Sequence, residues 1–231
     1  MEQGLSELNI ASGDKGVPAA PAFADGPASS PMIPMPPTYC ISGGEPQCLL
    51  ASHRVTAGCT AVVAFKAGRT LYVANAGDSR GVLCRGSIAY PLSEDHKPQN
   101  EVEMNRICAA GGFVSAVGRV NGNLNLSRSL GDLKYKQVRG VGEEGQIISA
   151  DPDITITRLQ DGDRFFILAC DGIWDCLTSQ EACDFVVARL DQGLAADQII
   201  DEVMKHCLAG NVRSAQGKGT DNMTFLLTLL E

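Results

Sequence analysis

At 231 residues, with 44% hydrophobic and 20% charged residues, the chain can bury one sizeable core and has ordinary globular composition. A formal net charge of -8 with no Lys/Arg cluster argues against nucleic acid as a partner, because neutralising phosphates needs grouped cations. No apolar run approaches the roughly 20 residues that cross a bilayer, and the start, MEQGLSELNI, lacks the basic and apolar regions of a signal peptide, so no membrane is expected either.

Residues 1–52 concentrate proline among Gly, Ala and Ser, as in PMIPMPP. Proline removes an amide donor and biases its predecessor to extended geometry, so this stretch reads as a tail or insert remnant, with the globular part at 53–231. From Gly58 the pattern changes. TAVVAFKAG and TLYVANAGD predict two strands joined at Ala67 and Gly68, and RGVLCRG with SIAYPL predicts a hairpin turning near Arg85 and Gly86. EVEMNRICAA predicts a helix over 101–110, with Asn100 as N-cap and Gly111 just past its end. RFFILAC, 164–170, is an apolar strand. Thr178 with Glu181 forms a capping box that opens a helix bearing Ala182, Phe185, Val186 and Leu190 on one face. A further helix is expected over 197–208, with Ile199, Ile200, Val203 and Cys207 inward, followed by a closing strand MTFLLTLL. Hairpins come early and helices late without regular alternation, which implies an α+β domain with mostly antiparallel sheets.

Nine cysteines include no C-x-x-C pair, and their number is odd. That fits neither a zinc site nor a disulfide framework, so buried reduced thiols and a cytoplasmic or nuclear setting are expected.

Three acidic residues share one placement at the mouth of an apolar strand. Asp171 follows RFFILAC, Asp221 precedes MTFLLTLL and Asp78 ends TLYVANAG, with Gly172, Gly219 and Gly77 close by to let the backbone turn. Asp175 stands four residues beyond Asp171. A single Asp in such a turn is ordinarily a turn or capping residue. The repetition is what suggests a metal site, and carboxylates without imidazole or thiolate suit Mg²⁺ or Mn²⁺.

The strings GCTAVVAF, VANAGDSRG, EDHKP, AAGG, GRVNGNLNLSRSLGD, ISADPDI, ILACDGIWD and GTDNMT occur here in the order found in type-2C metal-dependent Ser/Thr protein phosphatases. Over residues 57–231 the chain resembles that family, and its wording is most similar to the gamma-type branch. The resemblance implies a sandwich of two antiparallel sheets flanked by helices, and hydrolysis of phosphoserine and phosphothreonine in phosphoprotein substrates by a metal-activated water. It implies Asp171 and Asp221 as ligands of a binuclear Mg²⁺ or Mn²⁺ centre, with Asp78 and Asp175 joining Asp171 around a third ion. Arg128 and Asp132 are expected to be structural or to support a flap. The family also carries, upstream of the GCTAVV strand, a phosphate-gripping arginine, an acidic metal-binding pair and an Asp-Gly-His-Gly motif. Residues 1–56 hold none of these: His53 lacks a preceding Asp-Gly, and Asp25-Gly26 is followed by Pro27. The sandwich is therefore expected to be partial, with its N-terminal strands missing, and the chain to accept a complementary N-terminal fragment.

Two functions stay open at this point, a phosphatase that needs the missing half and a catalytically inactive phosphatase-like binding module. An aspartate-nucleophile reading of Asp151 and Asp153 fails because too little chain follows. An EF-hand reading fails because Ile156 stands where glycine is required.

Overall fold

The computed structural model describes residues 56–230. Residues 1–55, which include the Pro-rich stretch at 1–52, Cys40, Cys48 and His53, lie outside the described residues.

Strand β1 (Gly58–Cys59) leads into β2 (Ala61–Ala67) and β3 (Thr70–Ala76), then β4 (Arg80–Arg85) and β5 (Ile88–Pro91). Helix α1 (Glu101–Ala109) follows, then an irregular stretch holding β6 (Leu130–Gly131), then β7 (Asp153–Arg158) and β8 (Asp163–Ala169). Helices α2 (Asp171–Trp174), α3 (Ser179–Leu190) and α4 (Ala196–Cys207) precede the last strand, β9 (Phe225–Leu229). A three-stranded sheet runs β2-β3-β7 and a four-stranded sheet runs β5-β4-β8-β9, while β1 pairs with β6. All of these ladders are antiparallel. The fold is α+β, as expected.

Alternation along β8 explains the layering. Phe166 and Leu168 point toward the three-stranded sheet and pack with Leu71, Val73, Leu83 and Leu92. Phe165, Ile167 and Ala169 point the other way, against Ile173, Trp174, Val186, Ile199 and Val203 of the helices. A strand buried on both faces reads as a continuous apolar run, which is what RFFILAC is. Helix α3 starts on the expected capping box: Glu181 N–H donates to Thr178 Oγ1 and Thr178 N–H to the Glu181 carboxylate.

Asn100 is the N-cap of α1, as expected, although its side chain makes no cap bond and its Nδ2 donates to the Asp95 carbonyl. Two local expectations need correction. Cys59 and Cys108 are exposed, one on a two-residue strand and one on the outer side of α1, whereas Cys84, Cys183 and Cys207 are buried as expected. Gly172 is no turn but part of α2, and it lacks a side chain for a different reason, given below.

Candidate metal centre

The strand ends meet on one rim. Asp171 begins α2 directly after β8, and Asp175 N–H donates to the Asp171 carbonyl at 2.8 Å, one helical turn on. The segment before β9 is laced to the same place by Cys170. Cys170 N–H donates to the Thr224 carbonyl at 3.2 Å, and Thr224 N–H donates to Cys170 Sγ at 3.1 Å. A Cβ on Gly172 would collide with the Asn222 carbonyl oxygen, so glycine permits the close approach of the segment bearing Asp221. Asp221 lies four residues before β9 and caps itself locally, its Oδ1 accepting from Asn222 N–H at 2.7 Å. Asp78 lies two residues past β3, beyond Gly77, whose φ of 127° only glycine adopts readily.

Of the four, Asp78 is buried, Asp171 half-buried, and Asp175 and Asp221 exposed. The Asp171 carboxyl is pushed above its ordinary value, first by burial and then by the negative charges of Asp78, Asp221 and Asp175, with Lys97 opposing. The structure thus brings all four expected residues into one electrostatic neighbourhood around Asp171. It also engages one of them already: Lys97 Nζ donates to Asp78 Oδ2 at 2.5 Å. Arg80 stands beside the set, with both Nε and Nη2 at 2.8 Å from Asp95 and its guanidinium over the Trp174 ring. A cleft of about 320 Å³ adjoins Asp221, lined by Met204, Lys205, Leu208, Asn222 and Met223.

Sequence reasoning missed the polar support behind the rim. His96, 3% exposed, accepts from Gly77 N–H at its Nδ1 and donates from Nε2 to Asp153, each at 3.0 Å. Arg128 joins Asp153 to the buried Glu103, which also takes Arg106 and Ser127. The EDHKP string was visible, but its long-range partners were not. Asp132 accepts from Ser129 Oγ at 2.8 Å.

The donor chemistry fits a hard divalent cation: oxygen donors only, with charges that repel one another and leave Asp171 short of a counter-ion. Among the described residues, however, no three or more His, Cys, Asp or Glu side chains are grouped closely enough to chelate an ion. The set is open, not a closed cage.

Comparison with known proteins agrees with this geometry. The model of the protein phosphatase 2C family matches residues 46–215. Over 172 residues the chain is 50% identical to a probable protein phosphatase 2C of Arabidopsis thaliana, covering 74% of this chain and 48% of that protein. Over 178 residues it is 49% identical to a protein phosphatase 2C homolog of Schizosaccharomyces pombe, covering 77% and 42%. The chain therefore spans about half the length of the curated relatives it matches. Among solved structures, a phosphatase from Toxoplasma gondii superposes with a TM-score of 0.59 at 29% identity, over 70% of this chain and 50% of that one. A sex determining protein of C. elegans superposes with a TM-score of 0.63 at 26% identity, over 78% and 42%. With a family model matched over most of its length and a carboxylate rim at its strand ends, this chain belongs to the protein phosphatase 2C family.

Proposed function

We propose that the chain supplies part of a centre that dephosphorylates phosphoserine and phosphothreonine in proteins with Mg²⁺ or Mn²⁺. The observation that carries this reading is Asp171: a carboxylate at the end of a buried strand, faced by three more carboxylates and opposed by a single lysine. Asp171 and Asp221 would be ligands of a binuclear pair of ions, with Asp78 and Asp175 joining Asp171 around a third. When bound, a divalent cation neutralises phosphoryl charge and lowers the pKa of water. The protein's own part is to keep these oxygens fixed: β8 and α2 fix Asp171, Cys170 ties in the Asp221 segment, and His96 holds the Gly77 turn that presents Asp78.

The likeness to relatives about twice as long supports a centre completed by the N-terminal part of such a phosphatase. Exposed Val63, Phe65, Ile154 and Ile156 on the three-stranded sheet support the same idea. Among the described residues the seven cysteines are free thiols, which supports a cytoplasmic or nuclear setting.

Calorimetry with MnCl₂ tests the reading. Weak binding is expected for the native chain, because few protein carboxylates hold the ion, and Asp171→Ala should abolish it. Identical titrations of the two proteins would remove Asp171 from the site.

A further inference from the structure

Asp78 is the most enclosed of the four carboxylates, 2% exposed. A carboxylate so placed is costly unless it is paired. Its partner is Lys97, whose side chain is 36% exposed against 3% for Asp78. This contact does not depend on a free-swinging lysine. The preceding residue, His96, grips Gly77 twice: its backbone N–H donates to the Gly77 carbonyl at 2.9 Å, and its Nδ1 accepts from Gly77 N–H at 3.0 Å. Accepting at Nδ1 leaves the proton on Nε2, which donates to Asp153. Gly77 itself tolerates no side chain, since a Cβ would run into Thr60. Pro98 then fixes the backbone just beyond Lys97. Two dipeptides, Gly77-Asp78 and His96-Lys97, are thus clamped face to face by backbone, ring and ion pair. The same ammonium is the cation that opposes the three carboxylates around Asp171.

We propose that Lys97 is a built-in counter-ion for the Asp78 side of the centre: it holds the Asp78 carboxylate as an internal cation, and a divalent ion that takes Asp78 as a ligand must displace it. The inference rests on reading Asp171 and Asp78 as carboxylates of a metal centre. Lys97 then does two things at once. It keeps the metal-free fold from carrying an unpaired buried charge, and it lowers the affinity of the site. It is a positioning residue, acting through Asp78.

The test is Mn²⁺ calorimetry on the native chain, Lys97→Met, Lys97→Arg and the double variant Asp78→Asn/Lys97→Met. Methionine keeps much of the length and apolar stem without the charge. Lys97→Met is expected to bind Mn²⁺ about tenfold more tightly, equivalent to ~1.4 kcal/mol. Lys97→Arg should stay within about twofold of native, because it retains the charge. The double variant should lose the gain. Thermal melts give an independent readout. Lys97→Met should melt lower than native in EDTA, where Asp78 is left buried and unpaired, and Mn²⁺ should raise its melting temperature by more than it raises the native one. Should Lys97→Met fail to fold in EDTA, rescue by Mn²⁺ is the same result read at the level of folding. Lys97→Gln, which leaves Asp78 a donor, is the second variant for the titration. A Lys97→Met protein that titrates and melts like the native chain overturns the proposal. Coincident titrations of the native chain and Asp171→Ala would instead overturn the assignment of the centre itself.

Discussion

At the scale of single residues, the firmest electrostatics lie behind the rim and not on it. Glu103 is 2% exposed and is enclosed by Arg106, Ser127 and Arg128. Burial alone would raise its carboxyl, but hydrogen bonds from Arg128 and Ser127 and the charge of Arg106 outweigh it and hold it at about 2, against an ordinary value of 4.5. A carboxyl whose folded pKa is depressed stabilises the fold above its unfolded pKa and loses that contribution as pH falls through the folded one. Glu103 therefore contributes fully above about pH 4.5 and progressively less down to about pH 2. The shift corresponds to roughly 3 kcal/mol. Asp153 and Asp163 are also lowered, so the native chain loses stability on several carboxylates in acid. Glu103→Gln isolates one of them. Urea denaturation from pH 7 to pH 3 should show a flatter dependence for the variant, and parallel curves would contradict this assignment. Little of this network was legible in the sequence. Glu103 and Arg128 are 25 residues apart, and His96 and Asp153 are 57 apart. Periodicity and turn chemistry carry no information at that range, whereas the strand-end Asp positions could be read because their neighbours along the chain define them.

At the scale of elements, the rim depends on how closely α2 approaches the segment before β9. Most strands were readable from alternation or apolar runs, and α3 from its capping box. The four-residue helix α2 leaves no signal in the sequence, since a helix so short shows no period of its own. The glycine that marks it has a packing role. A methyl group at Gly172 would meet the Asn222 carbonyl, and that backbone is pinned by its neighbours through Cys170. Gly172→Ala is expected to cost about 1–3 kcal/mol, the usual range for forcing extra volume into a filled site. It should also weaken Mn²⁺ binding by moving Asp171 away from Asp221. Gly210 is the matched control, because a Cβ there meets nothing within 4 Å and its φ is not in the positive region. Gly210→Ala should stay within about 0.5 kcal/mol of native. Equal stability of the two variants in urea would show that the close approach of α2 carries no energetic weight.

At the scale of the whole molecule, the two sheets differ in how well they are covered. The four-stranded sheet has the three-stranded sheet on one side and α2, α3 and α4 on the other. Among the described residues the three-stranded sheet buries only its inner face. On its outer face Val63, Phe65, Ile154 and Ile156 are 59–65% exposed. They form contiguous rows across the sheet, with Phe65 opposite Tyr72 and Tyr72 opposite Ile156. Among the described residues β2 pairs only with β3, and β9 only with β8. Beside these edges, between the sheets, lies a cleft of about 320 Å³ lined in part by Val62, Leu168 and Leu226. Contiguous apolar surface on a soluble domain marks a place where something packs, and unpaired strand edges invite pairing. The chain spans about half the length of its curated relatives, and the occupant we propose for this face is the N-terminal part of such a phosphatase. Co-expression with a fragment bearing the Asp-Gly-His-Gly motif should yield a one-to-one complex with Mn²⁺-dependent hydrolysis of a phosphothreonine peptide, whereas the lone chain should hydrolyse p-nitrophenyl phosphate negligibly. A partial catalytic set is not a partly active one, because such groups act together. Two variants separate assembly from chemistry. Asp171→Ala should still form the complex and lose hydrolysis. Phe65→Asp with Ile156→Asp should leave the melting temperature of the lone chain nearly unchanged, because both side chains are already exposed, yet prevent the complex from forming. Co-purification of that double variant at native yield would exclude this face as the contact. Robust hydrolysis by the lone chain that is lost in Asp171→Ala would keep the metal chemistry and remove the need for a second fragment.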